Sequence, residues 1–325
     1  MRFPPPLRLS ALALAAACGG SPSGPVQRFT VPDGASLSQV EDSLSAHRLL
    51  GWRPWFRVVA KVGKFERDLK PGIYEFAPGT SALAILRDIR NAKYLRIKLT
   101  VPEGFTTIDI AELVASRFPA PRDSVLAAVH DAAILREYDI PAPSAEGFLA
   151  PDTYTIAAHS SARAVVTTLL DQFKAQWDTA WDTVLAARRL NRLQAVTLAS
   201  IVEGEARVDE ERPVIAAVYL NRMRIGMPLQ ADPTVQYAIQ LETGARKPRL
   251  IFADYRVKSP YNTYLVPGLP PGPVGNPGRK SLEAVVAPAT VPYLYFVATG
   301  DGRHTFSRTY GEHLRAIARS RREAK

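Results

Sequence analysis

The sequence predicts an α+β protein with two folded domains behind an N-terminal targeting segment. Three observations carry this. The chain has 325 residues, too many for one small core. A short strand, a Pro-acidic-Gly turn and a Ser or Thr occur twice, at Phe29–Ser36 and again at Leu99–Thr106. Helical periodicity then dominates to about residue 225, and the pattern changes to Pro- and Gly-rich loops with a short aromatic strand. The apolar fraction of 46% is that of a folded globular chain.

The first stretch to justify is the N-terminus. Arg2 and Arg8 precede an apolar run from Leu9 to Ala17, followed by Cys18. A charged start, about nine apolar residues and small residues before a cut site describe a secretory signal. The run is too short to span a bilayer. The order Ala15-Ala16-Ala17-Cys18-Gly19 resembles a bacterial lipoprotein processing box and makes Cys18 the lipidation candidate. As the only cysteine, Cys18 leaves no internal disulfide to form. Residues 1–27 read as anchor and tether. The body is expected outside the cytoplasm, held to a bacterial membrane, with inner-membrane attachment facing the periplasm or exterior.

Net charge is +10, which admits anionic lipid, an acidic polymer or nucleic acid as partner. The Lys and Arg residues are scattered, and no basic helix interleaved with aromatics appears, so nucleic acid is not expected.

Residues 28–97 read as strand, helix, helix, strand, helix. Ser36 and Ser81 are the expected helix caps, and Pro71–Phe76 is a turn entering a strand. The first part resembles a LysM-type βααβ module, which implies affinity for N-acetylglucosamine polymers. Residues 98–319 form the second domain, and 320–325 are a basic tail. Within it, residues 105–190 read as mostly helical with a turn-rich interruption at 141–151. Two helices follow over residues 192–225, the second with Pro213 in its first turn. Beyond Pro228 the chain reads as loop-rich. The run Val266–Gly278 excludes helix and central strand. A helix at 281–287 follows, then an aromatic hairpin at 293–306 and a terminal basic helix.

The chemistry is concentrated in Ala199-Ser200-Ile201-Val202-Glu203-Gly204-Glu205-Ala206. On a helical wheel Glu203 falls between Ala199 and Val196 on the apolar face, whereas Glu205 falls beside Gln194. The spacing therefore predicts one partly buried glutamate and one solvated one. Burial disfavours the charged form of a carboxyl, which suits a group that must donate a proton. An ordinary i, i+4 ion pair between Glu203 and Arg207 is the bland alternative.

Context decides between them. Glu211-Arg212-Pro213, Ala216–Arg222, Gly226–Tyr237 with Asp232-Pro233-Thr234-Val235, Ser259–Tyr264, and the Gly268–Gly278 loop follow in order. Glu146-Gly147-Phe148 and Pro151–Tyr154 precede them. This ordered set closely resembles the endolytic murein transglycosylase family, MltG or YceG-like, over about residues 28–319 and most densely over 196–307, with the active-site core expected at 192–307. The resemblance implies cleavage of MurNAc–GlcNAc β-1,4 bonds within nascent peptidoglycan strands. It also implies 1,6-anhydro-MurNAc ends, no cofactor, termination of strand growth, and penicillin-binding glycan synthases as partners. It places the catalytic glutamate at Glu203, in what reads as a mixed α/β catalytic domain; the comparison with lysozyme-like active-site logic rests on the chemistry of that carboxyl.

For the sugar groove the residue chemistry points to Gln230, Asp232, Thr234, Tyr261, Asn262, Thr263 and Tyr264. Amides and hydroxyls match N-acetyl and hydroxyl groups, and tyrosines offer flat faces. Turn capping is the competing role for Asp232 and Asn262. Help from Glu205 or Asp232 stays open, and His304 reads as structural with no partner evident. Gly204, where the family more often has Lys, weakens the helix and opens room beside Glu203. No His-Glu-x-x-His, paired Cys or phosphate-binding Gly-rich loop is present, so no metal is expected. Two other readings compete: a muramidase using water, and a catalytically silent wall-binding scaffold.

Overall fold

The computed structural model describes residues 24–323, so Cys18 and the apolar run before it lie outside the described residues. Contacts divide the chain into two units: the part up to Arg96 with Ala157–His159, and Ile97–Ile156 with Ser160 onward.

In the first unit β1 (Gln27–Val31) leads to α1 (Leu37–Ala46) and α2 (Arg53–Val62), then β2 (Gly72–Phe76) and α3 (Ala82–Arg90). Ser36 starts α1 with a reciprocal capping box to Gln39, and Ser81 caps α3. β1 and β2 pair antiparallel with Phe29 opposite Tyr74. Their alternation turns Phe29, Val31, Tyr74 and Phe76 inward against Val40, Leu44, Phe56, Leu86 and Ile89. Buried Glu41 joins α1 to α2 by accepting from Arg53 and Arg57, each at 2.7 Å.

The second unit runs β3 (Arg96–Val101), α4 (Thr107–Ala115), α5 (Arg122–Val129), α6 (Ala132–Glu137), β4 (Asp152–Ala157), α7 (Ala162–Gln176) and α8 (Ala180–Ala187). Then come α9 (Arg192–Glu205), α10 (Arg212–Arg224), α11 (Asp232–Thr243), α12 (Arg279–Val286), the antiparallel β5 (Tyr295–Ala298) and β6 (His304–Ser307), and α13 (Tyr310–Glu323). The protein is α+β, with small two-stranded sheets among helices. No helix among the described residues is long and apolar enough to cross a membrane.

Two elements depart from the expectation. β4 forms within the supposedly helical stretch, because Tyr154 and Ile156 alternate inward and the strand pairs with β3. α11 forms where a loop was expected. Pro233 sits in its first turn, Val235, Tyr237 and Ala238 bury its inner face, and Gly244 in the left-handed conformation ends it.

α9 is the centre of the unit. Asn191 and Gln194 form its capping box, and every residue from Ala195 to Val202 is buried. A helix buried on all sides needs neighbours on all sides, and α8, α10, α11 and α12 pack around it. The Pro-rich loop also enters the core, with residues 272–278 all buried. Polar partners meet its backbone inside the core: Val274 N–H donates to Ser200 Oγ, Asn276 N–H to the Phe105 carbonyl, and Gly104 N–H to the Asn276 carbonyl.

Gly147 has φ +86°, and a Cβ there would lie 2.4 Å from Pro273 Cγ and 2.8 Å from Val196 Cγ1. Gly147→Ala therefore meets both a strained backbone and two packed side chains. It should cost about 3 kcal/mol in urea unfolding; a loss below about 0.5 kcal/mol would show that the loop is not seated on α9 as described.

Candidate active site

Glu203 lies in the last turn of α9 with its side chain only 7% exposed. Its Oε2 accepts from Gly278 N–H and Ser281 Oγ, each at 2.9 Å. These two donors are the N-cap and third residue of α12. Gly278 has no side chain with which to cap that helix, so Glu203 supplies the anion its N-terminus favours. The other oxygen, Oε1, lies 3.0 Å from Arg212 Nη1. The carboxylate is thus buried but fully partnered, and Arg207 is not the cation that pairs with it.

Arg212 organises a wider charge cluster. Its side chain is 8% exposed, pairs with Asp209 at 3.0 Å, reaches Glu103 at 3.7 Å, and donates to Ser281 Oγ. Lys280 also pairs with Asp209. Glu103 belongs to the second Pro-acidic-Gly turn, and its side chain lies over Gly278. Partial burial, then the charge of Glu203, raises the pKa of Glu103. Gly104, next in the turn, approaches Glu203 closely enough that a Cβ would sit 3.6 Å from its Cγ. An open depression of about 280 Å3 adjoins Arg212, lined by Asp209, Pro213, Lys280, Glu283 and Ala284. A separate aromatic cavity of about 180 Å3 between Phe173, Trp177 and Arg192 shares no residue with it.

Glu205 corrects the wheel argument. It is not solvated: Tyr219 Oη donates to its Oε1 at 2.9 Å, and burial raises its pKa to about 7. The two-sided wheel fails because Tyr219 of α10 packs against the Glu205 side of α9 and takes its carboxyl out of solvent. Gly204 likewise opens no room beside Glu203; Pro233 of α11 fills the space, and a Cβ would lie 2.5 Å from its ring.

The proposed groove residues converge only in part. Tyr264 Oη donates to Asp232 Oδ1 at 2.6 Å, and Tyr255 reaches the other oxygen at 3.4 Å. Thr234 and Thr263 share a hydroxyl contact of 2.9 Å, and Thr263 Oγ1 accepts from Ala231 N–H. Asn262 donates to the carbonyls of Tyr255 and Val257. Thr234, Asn262 and Thr263 are fully buried, so in this conformation their polar atoms hold the loop to the start of α11. Tyr261 is half-buried with its ring 4.9 Å from that of Tyr237, and Gln230 is exposed at φ +51°. His304 has a partner after all: Nδ1 lies 2.7 Å from Glu211 Oε2 and the His304 backbone N–H donates to Oε1, which fastens β6 to the start of α10.

Sequence reasoning missed Arg212, Ser281, Glu103 and also Glu146. Buried Glu146 accepts from Thr107, Tyr237 and Asn276, and burial outweighs these donors to raise its pKa to about 7. The available signal was position: Glu146 lies within the turn-rich segment at 141–151 with no helix face to solvate it, and Arg212 is a cation at the first position of a mostly buried helix.

Fold and site define an α+β protein built around a buried glutamate–arginine pair at a helix N-terminus. The chain belongs to the YceG-like family, which matches residues 29–319. It is 29% identical to the endolytic murein transglycosylase of Bacillus subtilis over 304 residues, covering 89% of this chain and 83% of that protein. It is 26% identical to the protein of that name from Streptococcus pneumoniae, and spans 57% of the latter's length. A crystal structure of a putative yceG-like protein from Listeria monocytogenes superposes with a TM-score of 0.62 at 31% identity, covering 89% of this chain and 98% of that one.

Two predictions follow from the charges. Arg212→Met strands a buried carboxylate and should destabilise the protein by about 3 kcal/mol, with much of the loss recovered in Arg212→Met/Glu203→Gln; additive losses would deny the pairing. The raised pKa of Glu205 means that the folded state holds a proton that the unfolded state releases near pH 4.5. Its contribution is fully present below that pH and is lost as pH rises through about 7. Urea midpoints measured from pH 5 to 8 should therefore fall less steeply for Glu205→Gln than for the wild type, and parallel slopes would place this carboxyl in solvent.

Proposed function

We propose that this protein is a peptidoglycan lytic transglycosylase of the cell envelope that cuts inside glycan strands, with Glu203 as its acid and base. The observation that carries the reading is the placement of Glu203, a buried carboxyl bordered by glycine backbone and paired with Arg212, which itself lines an open depression. The family and the names of its relatives support the substrate class.

In this reading Glu203 protonates the glycosidic oxygen between MurNAc and GlcNAc, and the C1–O bond breaks. The carboxylate left behind is the form that Arg212, Gly278 N–H and Ser281 stabilise. It then takes the proton of the MurNAc 6-hydroxyl as that oxygen attacks C1 of the same sugar. The products are a 1,6-anhydro-MurNAc end and a free GlcNAc 4-hydroxyl, and no water is consumed. An intramolecular nucleophile gains by proximity and removes the need for a second carboxylate. Gln230, Asp232, Tyr261 and Tyr264 are proposed to border the strand, with Thr234, Asn262 and Thr263 holding that border in shape. The βααβ order of residues 28–76 supports a LysM-like reading of the first unit. The Leu9–Cys18 segment supports a lipidated membrane anchor, which would place the enzyme beside the penicillin-binding glycan synthases whose strands it would terminate.

Glu103 favours one other reading. A second carboxyl beside Glu203 is what a hydrolase uses to activate water. Product mass separates the two, because an anhydro end is about 18 Da lighter than a reducing end, the mass of one water. Incubation of nascent strands with residues 24–325 should give internal cleavage and anhydro ends, with turnover reduced at least about 1,000-fold in Glu203→Gln. Reducing ends would move the enzyme to the hydrolases, and undiminished turnover in the variant would remove Glu203 from the chemistry.

A further inference from the structure

The outer face of α2 has no covering partner among the described residues. Trp52 is 66% exposed, Trp55 55%, Val58 49% and Val62 79%, although the opposite face of the helix buries Phe56 and Ala60 completely. At 100° per residue Trp55, Val58 and Val62 fall within a 60° strip, and Trp52 extends it past the helix start. Arg57 and Lys61 form a second strip beside it, with Arg53 on its far edge and Lys64 just beyond the helix. No Asp or Glu occurs between Ser43 and Phe65, a stretch that carries Arg48, Arg53, Arg57, Lys61 and Lys64. Arg53 and Arg57 are partly neutralised by Glu41, whereas Lys61 and Lys64 make no ion pair among the described residues.

Exposed tryptophans in line with exposed valines are unusual on a soluble helix, since scattered single apolar residues are the norm. A glycan strand would use the tryptophan faces but has no use for Val58 and Val62. An interfacial helix uses all four: the apolar strip enters the headgroup–acyl boundary and the adjacent cations meet lipid phosphates. We infer that α2 is a membrane-surface contact that lays the first unit on an anionic lipid leaflet. The distance to the proposed anchor is compatible, because the nine steps from Cys18 to Gln27 span at most roughly 30 Å when extended. The contact does not depend on that anchor or on the proposed reaction, and the test omits the anchor.

The test uses residues 24–325, which contain both hydrophobic cores in full. The chain should sediment with phosphatidylglycerol-containing vesicles and much less with phosphatidylcholine alone. Trp177 and Trp181 are buried, so a blue shift and quenching by brominated lipid would report Trp52 and Trp55 in the wild-type chain without any substitution. Trp55→Ser/Val62→Ser should lower partitioning at least about tenfold. Lys61→Glu/Lys64→Glu should remove the preference for anionic lipid, and both variants should keep wild-type circular dichroism and strand cleavage. No vesicle binding, binding unchanged in Trp55→Ser/Val62→Ser, or binding to isolated glycan strands that these substitutions abolish in the absence of lipid association would each overturn the inference.

Discussion

The contact on which the second unit depends is the one between Glu203 and the start of α12. A buried carboxylate is costly unless its lone pairs are met. Here they are met by segments far apart in sequence: Arg212 at the head of α10, and Gly278 and Ser281 at the head of α12. The Pro-rich loop must deliver Gly278 to that point, and it can do so only by threading the core with its backbone groups satisfied. Ser200 accepts from Val274 N–H, the Phe105 carbonyl accepts from Asn276 N–H, and Gly104 N–H donates to the Asn276 carbonyl. The Glu103–Gly104 turn closes the other side, where Gly275 leaves no space for a side chain against the Gly104 carbonyl. The site and the core are therefore one construction.

The unit holds other buried carboxyls with different surroundings. Glu146 and Glu205 have hydrogen-bond donors but no cation in contact, and burial raises both to about 7. Glu203 has a cation in contact and a helix N-terminus. These environments separate roles by physics: Glu146 ties the Pro-rich loop to α4 through Asn276 and Thr107, Glu205 joins α9 to α10 through Tyr219, and Glu203 pairs with Arg212, which lines the depression. Glu103 shares Arg212 with Glu203, so the charge on either is felt by the other.

Features governed by neighbours in sequence were legible. The caps at Ser36, Ser81 and Thr106, the paired helices from 192 to 224, and the terminal hairpin all rest on short-range rules, and they formed. The partly buried position of Glu203 was also legible from helical spacing. What was not legible depends on tertiary surroundings. α11 begins with Pro and polar residues that read equally well as a loop, and its buried face is decided by packing. Glu205 looked solvated because a wheel shows only the helix's own apolar face and not the neighbour, Tyr219 of α10, that covers this side. Arg212 lies nine residues from Glu203, beyond any local rule, and Thr234, Asn262 and Thr263 have side chains that suit a sugar or a loop equally well.

The account's central claim is that the buried carboxyl of Glu203 meets the scissile bond. The most direct measurement is a crystal structure of the Glu203→Gln protein with an uncleaved glycan oligosaccharide. The account predicts a glycosidic oxygen within about 3.2 Å of the residue-203 side chain, with the strand passing the Glu103–Gly104 turn and Arg212. A strand seated with every glycosidic oxygen far from residue 203, for instance along the aromatic cavity at Trp177 and Arg192, would contradict it.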